Sequence, residues 1–106
     1  MTPTNRGLPR RLFPTGALVF STGVARLIDE GRLDPMPYFQ RHRRGDWGDV
    51  SDIQWLENSG ALASGGYLDS TYVVTRELTI RIFTEADRCA TYIALPTEPF
   101  SITPIR

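Results

Sequence analysis

Apart from the short apolar run Ala17 to Phe20, the hydrophobic period of the chain changes once, at Gly65-Gly66, and that change limits the fold more than any other feature. Before it, apolar residues recur at helical spacing: Val24, Leu27 and Ile28 share one face of a segment that Ser21 or Thr22 can cap and Gly31 can stop. Asp34-Pro35 opens a second helix, with Pro37 tolerated in its first turn. This helix runs through Tyr38, Phe39 and Arg41 to about Arg44, with Gly45 as a left-handed exit. Ser51-Asp52-Ile53-Gln54 has capping-box form and predicts a third helix that turns Ile53, Leu56 and Trp55 inward. After Gly66, the segments Tyr67 to Val74, Leu78 to Phe83 and Cys89 to Leu95 are rich in β-branched and aromatic residues. Thr75-Arg76-Glu77 and Glu85-Ala86-Asp87-Arg88 have hairpin length between them.

With a short strand expected at Ala17-Leu18-Val19-Phe20, the prediction is an α+β domain: a short N-terminal strand, two or three helices, then a three-stranded antiparallel β-meander packed against the helices. At 106 residues one domain suffices. It is expected over 15–97, after a flexible arginine- and proline-rich arm at 1–14 and before an irregular tail at 98–106 that holds Pro99 and Pro104. The strand at Ala17 to Phe20 or that at Tyr67 to Val74 offers an edge for dimerisation, and the oligomeric state stays open.

All 12 basic residues are arginine, so lysine nucleophiles, Schiff bases and Walker-type phosphate lysines are excluded. A single cysteine excludes an internal disulfide, and no apolar run approaches the roughly 20 residues that span a bilayer, so a cytoplasmic protein with no membrane partner is expected. Charge is uneven: 1–44 hold eight arginines against three acids, and 45–106 four against nine. The halves can pair with each other, or the basic half can meet nucleic acid through Arg6, Arg10 and Arg11 with Phe13 stacking on bases. A neutral total argues against strong non-specific phosphate binding.

Polar residues crowd two places: His42, Arg44, Asp46, Trp47 and Asp49 with Glu57 and Asn58 behind them, and Glu85, Asp87 and Arg88 far along the chain. These ten form a candidate polar surface, provided folding joins the two places. His42 with Asp46 and Asp49 has the donor types of a metal site, but the bland reading is a histidine held charged at a helix C-terminus. Asp46 to Asp49 reads as a structured turn anchored by Trp47, with Asp49 an early cap for the third helix. Glu57 and Asn58 then reach back to Arg43, Arg44 or the Gly45-Asp46 amides. Thr84 to Arg88 reads as a tight hairpin in which Asp87 accepts backbone amides and Arg88 pairs with Glu85 or Asp46. Cys89 reads as a small buried hydrophobe.

One pattern joins these residues. Arg41, His42, Gly45 to Asp49, the Glu57-Asn58 pair, Thr84 to Arg88 and Leu95-Pro96 together resemble a family of small proteins labelled plasmid-related protein, which have no settled function. The resemblance covers 16–96 and implies carriage on plasmids, integrative elements or phages; it transfers no catalytic residue and no cofactor. Three functions stay open. The first is a non-enzymatic accessory protein of a mobile element that binds another protein, a host-defence component among the candidates. The second is a nucleic-acid-binding regulator using the arginine-rich half, and the third a small hydrolase centred on His42 and nearby carboxylates.

Overall fold

Ser21 ends a strand and starts a helix in one residue: its hydroxyl accepts from the Val24 amide at 3.1 Å while its own amide still donates to Ile93. The structure, a computed structural model, describes residues 12–98. Within them run β1 (Ala17–Phe20), α1 (Thr22–Asp29), α2 (Met36–Arg43), α3 (Asp52–Ser64), β2 (Leu68–Thr75), β3 (Leu78–Thr84) and β4 (Ala90–Ala94). The α+β class holds, and each expected helix start is present. Asp34 accepts the Met36 amide at 3.1 Å, Ser51 accepts the Gln54 amide at 3.1 Å, and Gly45 leaves α2 at φ 85°.

The sheet corrects one expectation. It is a mixed four-stranded sheet in the order β1-β4-β3-β2, with β1 parallel to β4, not a pure three-stranded meander. A meander alone leaves β4 with an open edge. β1 satisfies it, and the register Leu18 to Thr91 and Phe20 to Ile93 lays its alternate side chains on the face that the helices cover. The opposite edge, β2, is also covered in part. Gly48 bridges to Thr71, and the Asp49 carboxylate accepts the Val73 amide at 3.0 Å. A Cβ at Gly48 would lie 2.2 Å from the Thr71 carbonyl, and its φ of 76° is left-handed, so only glycine allows this approach.

All three helices lie on one face of the sheet. The larger core joins Val24, Leu33 and Phe39 to Tyr72, Ile80, Ile82 and Ile93; the smaller joins Phe13, Trp47, Ala61 and Leu68. Phe13 therefore corrects part of the N-terminal expectation. At 5% exposure it is a core residue and offers no ring to a base, and the Leu12 amide is held by the Arg43 carbonyl. Residues 1–11, with Arg6, Arg10 and Arg11, and 99–106 lie outside the described residues.

Glu98 ties the end of the described chain to its start. Its carboxylate accepts the Gly23 amide at 2.9 Å, the Leu95 amide at 2.8 Å and the Ser21 hydroxyl. Partial burial pushes this carboxyl up, but the three hydrogen bonds outweigh it and hold it below the usual carboxylate range. Because a carboxylate at a helix N-terminus also complements the dipole, Glu98→Ala is expected to cost about 1 kcal/mol at pH 7 in urea denaturation. A depressed carboxyl stabilises above its unfolded pKa and loses that contribution as pH falls. The gap between wild type and variant should therefore close on acidification below about pH 4.

Candidate functional site

The residues singled out by sequence are brought together, but mostly inside the molecule. His42, on the inner face of α2, is fully buried. Its Nδ1 lies 2.6 Å from the Ser70 hydroxyl of β2 and its Nε2 lies 2.9 Å from the Thr84 hydroxyl of β3. Thr84 contacts the Thr91 hydroxyl of β4 at 2.7 Å, and Thr91 donates to the Thr15 carbonyl at 2.8 Å. That last carbonyl can only accept, which sets the direction of every proton in the chain. Thr91 spends its proton on Thr15, so Thr84 donates to Thr91, and His42 Nε2–H must donate to Thr84. Nδ1 is left to accept from Ser70. The imidazole is neutral, in one defined tautomer, with both nitrogens used.

Its surroundings agree. The rings of Phe13 and Trp47 meet the imidazole edge-on at 5.4 and 5.6 Å. Burial, aided by the positive charge of Arg88, lowers the His42 pKa to about 3. The expectation of a charged histidine favoured by the helix C-terminus is thus overturned, because desolvation outweighs a partial dipole charge. His42 has no ring nitrogen free for a metal or a substrate, so it cannot be the surface acid or base of the hydrolase reading. Among the described residues no group of three His, Cys, Asp or Glu side chains is placed to hold a metal ion.

The remaining members of the candidate polar surface divide by what they touch. Trp47, 1% exposed, stacks on Phe13 with centroids 6.1 Å apart. Arg88 lies over the other side of the same network, 5.7 Å from the Phe13 centroid. Phe13 is what joins the Trp47 turn to the Asp87 hairpin, and its part was not legible because it sits in a proline-rich start. Among the described residues Arg88 makes no carboxylate pair. Its guanidinium donates to the carbonyls of Gly66, Ala61, Glu85 and Ala86, at 2.6, 3.1, 3.1 and 3.3 Å, and so clamps the end of α3 to the hairpin.

Asp46 accepts Arg41 Nε at 2.7 Å and the Gly48 amide at 3.2 Å. Tyr72 donates to the Asp46 carbonyl at 2.6 Å, and burial pushes its phenol well above the ordinary tyrosine range. Asp49 stabilises β2 and does not cap α3, because Ser51 already does. Asp87 accepts the Cys89 amide at 2.9 Å, and Glu85 accepts from the Tyr92 hydroxyl at 3.0 Å. Cys89 is exposed, not buried, and its hydrogen bond to Asp87 with the nearby acidic charge pushes the thiol up, which disfavours the thiolate. Arg44 and Glu57 are exposed.

Asn58 holds the reason for the largest correction. Fully buried on α3, its carboxamide accepts the Asp69 amide at 3.1 Å, donates to the Asp69 carbonyl at 2.8 Å and accepts from Gln54 at 3.0 Å. It does not reach back to α2. Both backbone groups of Asp69 are satisfied only when α3 presents Asn58 to β2, and small Ala61, one turn on, packs with Leu68 beneath. This rotation turns the apolar residues away from the core: Ile53 is 69% exposed, Leu56 71% and Trp55 38%. The expected inward positions are the outward ones.

A scan against protein-family models and searches of curated proteins and of solved structures return no match. Among the described residues no helix is long and apolar enough to cross a membrane.

Proposed function

We propose that this chain is a small non-enzymatic protein-binding module, of the accessory kind carried by mobile elements that its motif pattern resembles, and that it docks through the outer face of α3. The observation that carries this reading is the outward placement of Ile53 and Leu56, each more than two-thirds exposed, on a helix whose inner face is already satisfied. Leaving two such side chains in water forgoes about 1.5–3 kcal/mol each, and a partner recovers that on contact. The polar constellation supports the same reading from the other side. Its charged groups are largely committed to internal partners, and its histidine is neutral and enclosed.

A photo-cross-linking residue placed at Leu56, in cells that produce the protein, should give a discrete covalent adduct with another protein. The same residue at Glu77, exposed in the β2–β3 hairpin, should give none. Equal adducts from both positions, or none from Leu56, would count against the reading.

A further inference from the structure

We infer that the outer face of α3 receives a cationic amphipathic helix of a partner protein; the inference rests on the docking surface just proposed and names its occupant. Ile53, Leu56, Gly60 and Ala63 follow one another at the 3-4-3 spacing that keeps residues on one face of a helix. Leu56 stands opposite Asn58 and Ala61, which face inward. The first half of this seam is raised by two large side chains. The second half is low, since Ala63 is exposed and a Cβ at Gly60 would meet no atom within 4 Å. A helix fits this relief if it sets small residues over Ile53 and Leu56 and large ones over Gly60.

Charge decides what kind of helix. Asp52 and Glu57 border the seam on its two sides, both are exposed, and neither has an ion-pair partner among the described residues. The stretch 45–75, which includes α3, contains five acids and no basic residue; Asp46 and Asp69 are already paired with Arg41 and Arg81 from outside it, so Asp52 and Glu57 carry the open charge beside the seam. A second copy of this chain fits poorly. Antiparallel pairing that lays Leu56 on Gly60 of the copy brings the two Glu57 carboxylates together across the axis, and parallel pairing brings Asp52 beside Glu57. Arginine or lysine flanking an apolar seam neutralises both acids without such repulsion.

The probe is a synthetic helix of about three heptads with leucine and alanine on its seam and arginine on both flanks, against a twin with glutamate flanks. The full-length protein is titrated with each while the fluorescence of Trp55, partly exposed beside Asp52 on α3, is followed. The arginine peptide should bind at least ~10-fold tighter at low salt, with the gap narrowing as salt is added. Asp52→Arg with Glu57→Arg should reverse the preference, and Leu56→Glu should abolish binding with the thermal midpoint unchanged. Equal binding of the two peptides, or binding of neither, would overturn the inference.

Two other results would overturn it as well. Self-association of the free protein that Leu56→Glu removes would give the face to a second copy. A Trp55 spectrum altered by combined Arg6→Glu, Arg10→Glu and Arg11→Glu would give it to the chain's own start. An adduct at Leu56 in cells without any charge preference here would leave the docking surface standing and remove only this occupant.

Discussion

Replacing Trp47 with alanine is expected to destabilise the protein by about 3–5 kcal/mol. Trp47 is the largest of the fully buried side chains, and it holds three things at once. Its ring fills the smaller core with Phe13 and Leu68, forms one wall around His42, and fixes the turn whose backbone carbonyl accepts the Thr71 amide at 3.2 Å. The vacated volume borders neutral His42, so water entering it would also compete for the imidazole hydrogen bonds. Against a total stability of roughly 5–15 kcal/mol, such a loss lowers the thermal midpoint by roughly 20 °C. Leu56→Ala on the exposed face of α3 is the control and should stay within about 0.5 kcal/mol. Denaturant unfolding that shows less than about 1 kcal/mol for Trp47→Ala would mean the smaller core does not depend on this ring.

Acidification from pH 7 to pH 5 is expected to cost about 2 kcal/mol, and from pH 7 to pH 4 about 3 kcal/mol in total, through His42 alone. The sign follows from which state binds the proton. An unfolded histidine titrates near 6.5, whereas His42 in the fold is held down to about 3. Between those values the unfolded chain gains a proton that the folded chain refuses, at 1.36 kcal/mol per pH unit. Above about pH 7 both states are neutral and the penalty vanishes. The window from 7 to 5 belongs to His42, since Asp46 and Glu98, whose carboxyls are held below the usual range, lose their contribution only at lower pH. A His42→Gln variant, whatever its starting stability, should unfold at nearly constant free energy from pH 7 to pH 5. Parallel pH slopes for wild type and variant in urea would show that the imidazole is not the buried titrating group.

Much of the local structure was legible because it depends on neighbours a few residues apart. Ser21, Asp34 and Ser51 announce helix starts through side chains that reach amides two or three positions on. Gly45 announces an exit, and alternation of Leu78, Ile80 and Ile82 announces a half-covered strand. The candidate site was legible as a list of residues but not as a place. His42, Asn58 and Arg88 looked like surface chemistry because polar residues usually sit in water. Each instead satisfies polar groups remote in the chain, at Ser70, Thr84, Asp69 and Gly66.

The rotation of α3 shows where sequence stops. The amphipathic pattern of Ile53, Leu56 and Trp55 is real, but a helix has two sides, and hydrophobic spacing alone assumes that the apolar one faces in. Asn58 sets the opposite choice: fully buried itself, it must face β2 to pair with the part-buried amide and carbonyl of Asp69, and the aliphatic side chains are then left on the other side. The pairing of β1 with β4 is of the same kind. It joins residues more than 70 positions apart, and nothing within either segment names the other. The type of each element and most helix starts and exits could thus be read from the chain, because contacts within a turn set them. Tertiary structure alone decided which faces are inside, the protonation of His42 and the apolar surface of α3, because those depend on where buried polar groups find their partners.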